Sequence, residues 1–233
     1  MSVIRDFLYL LKRPIINFRE LLPFNVRLKS AVRLHEYTEM GGLFFDQPNE
    51  LLAALGNTPR NPLLEPGEFY PLFFNSNPKT LDLLEQAIKQ IRPSIVVETG
   101  VANGASTRRI LESFGKYDLV NSKLVSFDID PRVATEELTN NPQFNFILVD
   151  SPDRFSESLR KLDCIDLFYH DSDHSYKNQM HEYSIAWEKL SENGVLISDD
   201  VDWSNAFLDF CKQVNRTPFL LSDLSTFSGI IRK

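Results

Sequence analysis

From about residue 80 onward the apolar positions follow two alternating rhythms. Leu81, Leu84, Ile88 and Ile91 recur at the spacing of one helix face, and the stripe stops at Arg92-Pro93, where proline disfavours helical backbone in the residue before it. SIVVETG (94–100) follows, a compact β-branched run that reads as a strand. The same kind of run returns as KLVSFDI (123–129), FNFILVD (144–150), IDLFYHD (165–171) and GVLISDD (194–200). Helical stretches are predicted between them, near 106–114, 132–138, 153–162 and 175–191. On the last of these Tyr176, Met180, Tyr183, Trp187 and Leu190 share one face, which reads as core packing. Near-continuous apolar strands alternating with helices predict an α/β fold with a parallel sheet covered on both faces. After a final helix near 204–215, TPFLLSD (217–223) and FSGIIRK (227–233) read as a closing strand pair.

The first eighty residues break this rhythm. Ile4, Phe7, Leu8 and Leu11 form a helical stripe that ends at Pro14. Residues 41–78 hold six of the thirteen prolines and cluster Phe44, Phe45, Phe69, Tyr70, Phe73 and Phe74. The chain therefore divides into an N-terminal helical and aromatic-rich extension, 1–75, and a main domain, 76–233. The extension would serve as lid, core cover or oligomerisation element.

Charge sharpens that division. Residues 1–35 carry seven Lys/Arg against two acids, although the whole chain has a net charge of -7. The acidic body argues against a nucleic-acid partner. The basic start could contact a membrane surface weakly or build a homo-oligomer. No run of apolar residues is long enough to span a bilayer. Cys164 and Cys211 make neither a disulfide framework nor a zinc motif, and a cytoplasmic setting is the expectation.

The acids are placed with unusual regularity. Glu98, Asp128, Asp150, Asp171 and the pair Asp199/Asp200 each close one of the five strand runs. In an open parallel sheet, ligands bind at the carboxyl ends, near the switch in strand order. The first turn, Glu98-Thr-Gly-Val-Ala-Asn-Gly-Ala-Ser106, has Gly100 and Gly104 for close backbone approach, but it lacks the spacing of a dinucleotide loop. A nucleoside without phosphate could use such a loop, with Asp128 accepting hydrogen bonds from a ribose diol. Carboxylates at the ends of the fourth and fifth strands should converge. Hard oxygen donors so placed suit Mg²⁺, Mn²⁺ or Ca²⁺ better than zinc. The plainer alternative makes these acids caps and solvated turns. His174 follows Asp171 closely and could take a proton from a substrate hydroxyl, or could simply be hydrogen-bonded to a carboxylate. His170, inside its strand run, reads as structural or cofactor-lining, and His181 as solvated.

The ordered series VVETGVANGAST, LVSFDIDP, FILVDS, IDLFYHDSDHSY and GVLISDDV resembles the motif series of class I S-adenosylmethionine-dependent methyltransferases. It is most similar to the metal-dependent macrocin-type sugar O-methyltransferases and their cephalosporin-hydroxylase-like relatives, over roughly residues 75–233. The resemblance implies a Rossmann-like, mostly parallel seven-stranded sheet with a C-terminal antiparallel pair and helices on both faces. It places Glu98, Gly100, Gly104 and Ser106 around the methionine part of S-adenosylmethionine, Asp128 on the ribose, and Asp150 and Ser151 beside the adenine. Asp171, Asp199 and Asp200 match metal-binding acids, with Asp171 and His174 at the chemistry. Catechol-type relatives have Asn where this chain has Asp200, so the site here is more negative. The expected activity is methyl transfer to a hydroxyl of a small polyhydroxylated acceptor. The rivals are a metal-independent N-methyltransferase, a non-catalytic cofactor-binding partner subunit, and a nicotinamide oxidoreductase. The loop spacing disfavours the last.

Overall fold

The computed structural model describes Tyr70, residues 75–222 and residues 227–233. The stripe containing Ile4 and Leu11, and the aromatic cluster apart from Tyr70, lie outside the described residues.

Helix α1 (Pro78–Ile91) opens the described domain. The Asn77 side chain accepts from the Thr80 amide, Pro78 occupies the first turn, and Arg92 closes the helix in a left-handed conformation, its N–H on the Ile88 carbonyl. Then follow β1 (Ile95–Thr99), α2 (Ala105–Lys116), β2 (Lys123–Asp128), a 3-10 turn (Pro131–Val133), α3 (Glu136–Thr139) and β3 (Phe144–Leu148). Next come α4 (Pro152–Arg160), β4 (Ile165–His170), α5 (Tyr176–Lys189), β5 (Leu190–Ser198), α6 (Ala206–Gln213), β6 (Phe219–Ser222) and β7 (Phe227–Arg232).

All seven strands form one sheet in the order β3-β2-β1-β4-β5-β7-β6. The first five are parallel, and β7 pairs antiparallel with both β5 and β6. The expected seven-stranded sheet with a closing antiparallel pair is what forms. The chain runs outward from β1 to β3, then crosses back to start β4 on β1's other side. The crevice of this switch lies between the carboxyl ends of β1 and β4.

Alternate side chains feed two separate cores, as the two-residue strand period requires. Val97, Phe168 and Leu196 point toward a layer containing Phe155, Tyr183, Phe207 and Phe210. Val96, Leu167, Tyr169 and Ile197 face a layer built from Leu84, Ile88, Ile110 and Phe114. Each such fully buried side chain contributes on the order of 1.5–3 kcal/mol, offsetting the conformational entropy lost by ordering the chain. This two-sided burial holds the strand ends in fixed register.

Two sequence expectations need correction. Tyr176 is not core: it is 48% exposed at the start of α5. Leu190 belongs to β5, which starts four residues earlier than the apolar run, and a register shift between Ile165 and Leu167 accommodates the extra length. The buried face of α5 also includes the polar Gln179 and Glu182, which periodicity of apolar residues does not reveal.

Candidate functional site

The turn after β1 is built by backbone geometry first. Gly100 and Gly104 have φ of 85° and 76°, and a Cβ on Gly100 would lie 2.1 Å from the Asp171 carbonyl oxygen. Only glycine lets the β1 exit pass this close to the β4 exit. The Gly100 N–H donates to the Phe127 carbonyl, and the Asp171 N–H donates to the Thr99 carbonyl. No side chain caps the start of α2.

Two acids hold this turn from beneath and beside. Glu98 lies inside β1 rather than at its end and is fully buried. Its carboxylate accepts from the hydroxyls of Ser106, Thr107 (2.8 Å) and Ser126 (2.7 Å), tying α2 and β2 to β1. Burial outweighs those hydrogen bonds and pushes Glu98 up to about 7. Ser106 therefore spends its hydroxyl on Glu98. Asp128, the last residue of β2, accepts from the Val101 N–H at 2.7 Å and the Ala102 N–H at 3.3 Å; its other oxygen takes the Asp130 N–H at 2.9 Å.

Asp150 and Ser151 are exposed beyond the end of β3. Asp150 pairs with Arg154 at 3.2 Å, and Ser151 is the N-cap of α4. Ile129, read from the sequence only as the end of a strand run, is 74% exposed directly after Asp128, and Leu148, which pairs with Asp128 across β2 and β3, is partly exposed.

On the other side of the switch, Asp171 and Asp199 stand immediately past β4 and β5. Asp171 accepts from Ser76 Oγ at 2.8 Å and from Tyr169 OH at 3.1 Å. Asp199 is buried and accepts from Ser228 Oγ (2.8 Å), Thr80 Oγ1 (3.2 Å) and the Asp200 N–H (3.0 Å). Burial, then the nearby charges of Asp171 and Asp200, push Asp199 well above the usual carboxylate range. His174 Nε2 sits 3.6 Å from Asp171 Oδ1 and 3.8 Å from Asp200 Oδ2. Burial alone would disfavour imidazolium, but the hydrogen bond to Asp171 and the charges of Asp200, Asp171 and Asp199 win and raise His174 to about 9. The neutral imidazole expected from the sequence is thus a charged one at neutral pH.

Among the described residues no three His, Cys, Asp or Glu groups stand in a ready-made metal cage. The acids converge as expected, yet His174 stands between Asp171 and Asp200, and Asp199 is turned to hydroxyls. The donor chemistry still fits a hard cation. Asp171 and Asp200 add their charge to that of the buried Asp199, a gathering of negative charge that suits a cation, and all the ligating atoms are oxygen. His170 is buried and held neutral by burial and by its neighbour His174, with Nε2 3.6 Å from Glu182. His181 is not simply solvated: its Nε2 meets Ser156 Oγ at 2.8 Å, joining α4 to α5.

Ahead of α1, Tyr70 packs against the turn after β1. Tyr70 is buried against Val101, Val133 and Leu138. Its N–H donates to Asn103 Oδ1, and Asn103 Nδ2 donates back to the Tyr70 carbonyl, both at 2.8 Å. Its hydroxyl donates to Asp130 Oδ2 at 3.0 Å.

Residues 97–201 match a family of methyltransferase domains. No curated protein matches the sequence. Among solved structures, the fold resembles a Podospora anserina methyltransferase bound to S-adenosylhomocysteine, with TM-score 0.55 and 16% identity over 91% of this chain and 97% of that one. A Bacillus cereus O-methyltransferase, also in complex with S-adenosylhomocysteine, aligns with TM-score 0.57 and 12% identity over 87% and 97% of the two chains. An O-methyltransferase from Streptomyces achromogenes involved in tomaymycin synthesis, in complex with S-adenosylmethionine, aligns with TM-score 0.54 and 12% identity over 68% and 80%. At such identities the likeness speaks to the fold.

Proposed function

We propose that the protein, whose residues 97–201 match a family of methyltransferase domains, transfers a methyl group from S-adenosylmethionine to a hydroxyl of a small polyhydroxylated molecule. The observation that carries this reading is the Gly100–Gly104 turn at the switch point, clamped by Asp128 on one side and closely apposed to Asp171 on the other. One turn then borders both a nucleoside site and an acid cluster.

On the cofactor side, the backbone of 100–104 and the uncapped start of α2 face the methionine part. Asp128 holds the turn and offers its remaining lone pairs to the ribose hydroxyls. Ile129 gives the adenine an apolar surface, with Asp150 and Ser151 at the outer rim. Glu98 acts indirectly, by fixing α2 and β2 to the turn.

On the acceptor side, Asp171, Asp199 and Asp200 would hold a divalent cation, Mg²⁺ by preference and Mn²⁺ or Ca²⁺ as alternatives. Such a cation supplies Lewis acidity that lowers the pKa of the acceptor hydroxyl. His174, whose Nε2 borders both Asp171 and Asp200, would accept the hydroxyl proton there in its neutral form. The acids and the turn together orient oxygen against methyl. A second reading has one observation in its favour: the imidazolium already stands between Asp171 and Asp200, so the protein could work without metal.

The test is methyl transfer from labelled S-adenosylmethionine to hydroxylated acceptors, with and without EDTA. Transfer that EDTA stops and Mg²⁺ restores supports the metal reading. Full activity under chelation leaves the imidazolium reading, and transfer only to amines refutes the acceptor class.

A further inference from the structure

Glu182 is a buried carboxylate that the reaction as described does not use. It reaches from the middle of α5 to the exits of β1 and β4. Its Oε2 accepts from Thr99 Oγ1 at 2.6 Å, and its Oε1 accepts from Ser172 Oγ at 2.9 Å and from Asn178 Nδ2 at 3.0 Å. Thr99 is the last residue of β1, directly before Gly100, and Ser172 directly follows Asp171. Asn178 Nδ2 also meets Ser172 Oγ at 3.2 Å and the Asp173 carbonyl at 3.0 Å. One side chain thus grips both strands where the cofactor turn meets the acids, and braces the loop that carries His174. A carboxylate here is costly. Burial pushes Glu182 above its ordinary range, and the hydrogen bonds from Thr99, Asn178 and Ser172 oppose that shift. An apolar residue would fill the space without desolvating a charge, but it could not bind two strand exits at once.

Resting on the reading that the turn and the acids serve one reaction, we propose that Glu182 is a positioning residue, which through Thr99 and Ser172 fixes Asp171 against the cofactor turn. The apposition it governs is close: the Asp171 N–H donates to the Thr99 carbonyl at 2.8 Å. The turn has supports of its own, Asp128 through the Val101 and Ala102 amides and Glu98 through Ser106 and Thr107. At the β4 exit, Ser76 holds the Asp171 side chain from the start of α1, and Glu182 holds the next residue from α5. Loss of Glu182 therefore frees Asp171 while the turn stays in place. Reach matters here more than charge. Glutamine keeps one oxygen for Ser172 and Asn178, and its NH₂ can donate to Thr99, whose hydroxyl serves as donor or acceptor. Aspartate keeps the charge but is one methylene too short to hold both exits.

The experiment compares the full-length wild type with Glu182→Ala, Glu182→Asp and Glu182→Gln. Amide hydrogen exchange, resolved by residue with NMR, reads the placement without cofactor or acceptor. Exchange at the Asp171 amide should quicken at least about tenfold in Glu182→Ala and Glu182→Asp, and stay within about threefold of the wild type in Glu182→Gln. The Gly100 and Leu124 amides, bonded to the Phe127 and Gln143 carbonyls, should change less than about threefold in all three. If Glu182→Ala does not fold, Glu182→Asp carries the same comparison. Two titrations join placement to function. S-adenosylhomocysteine affinity should stay within about threefold in every variant, while Mn²⁺ affinity should fall about tenfold in Glu182→Ala and Glu182→Asp and recover in Glu182→Gln. The proposal is overturned if exchange at Asp171 is unchanged, if Leu124 quickens equally, if glutamine fails to restore the wild-type rate, or if Mn²⁺ binds wild type and Glu182→Asp alike. A wild type that binds neither S-adenosylhomocysteine nor Mn²⁺ removes the methyltransferase reading instead, and exchange at Asp171 alone then decides the placement.

Discussion

Glu98 and His174 carry unusual protonation, and each predicts a pH-dependent measurement. Glu98 has a folded-state value of about 7 against an ordinary 4.5. The native state therefore binds its proton more tightly than the unfolded chain does. Its contribution to stability is complete below about pH 4.5 and is lost as pH rises through about 7. Glu98→Gln keeps the shape without a charge to desolvate. Urea unfolding of this variant should lack the loss of stability that the wild type shows between pH 4.5 and 7; an identical pH slope in both would refute the assignment. His174, raised to about 9, is protonated at pH 7 in the metal-free protein. Mg²⁺ or Mn²⁺ binding among Asp171, Asp199 and Asp200 should therefore release up to about one proton at pH 7–7.5, read by calorimetry in two buffers of different ionisation enthalpy. His174→Gln should lower that release, leaving only what Asp199 contributes. Metal binding with no proton release from the wild type would contradict the coupling. Asp171→Ala removes a carboxylate from the cluster, and turnover should fall at least a hundredfold while cofactor affinity stays within about threefold.

The elements explain why the sheet was legible and the site only partly so. Strands β1, β2, β4 and β5 sit between two helical layers, so burial on both faces forces nearly unbroken apolar runs, and such runs are visible without a structure. Helix α1 was equally visible, because its stripe and the proline after it agree. The polar side of α5 was not. Glu182 and Gln179 are buried there by partners such as Thr99 and Ser204, which lie far away in sequence. Nor could spacing show that Ser76 meets Asp171, or Thr80 meets Asp199, since those contacts exist only once α1 has docked across the strand ends. The glycines of the first turn were read for ligand approach. Their tighter constraint is the β4 exit. Gly100→Ala forces a Cβ into the Asp171 carbonyl, so the β1 and β4 exits must separate. A loss of about 2 kcal/mol or more in unfolding stability and a marked loss of cofactor affinity should follow. Wild-type values of both would show that the apposition is loose.

At the scale of the whole molecule, one face of the sheet's edge gathers everything proposed here. The cofactor turn and Asp128 lie toward β2, the acids and His174 toward β5, and Tyr70 fastens the lead-in to Asn103 and Asp130 at the cofactor end. The basic start of the chain, 1–35, is set apart from this machinery by its composition. Deleting it should alter oligomeric state or thermal stability and leave cofactor affinity within about threefold. Among the described residues no helix is long and apolar enough to cross a membrane. Strong, salt-sensitive binding of the intact protein to anionic vesicles would instead assign the basic start to a membrane surface. The central claim is that S-adenosylmethionine binds at the turn between β1 and α2 with Asp128 on its ribose, and calorimetric titration tests it most directly. The wild type should bind one S-adenosylmethionine per chain. Asp128→Ala should weaken binding by about 1–3 kcal/mol, through lost hydrogen bonds to a charged group. Asp171→Ala should bind nearly as the wild type does. No binding to the wild type, or equal affinity in Asp128→Ala, would contradict the account.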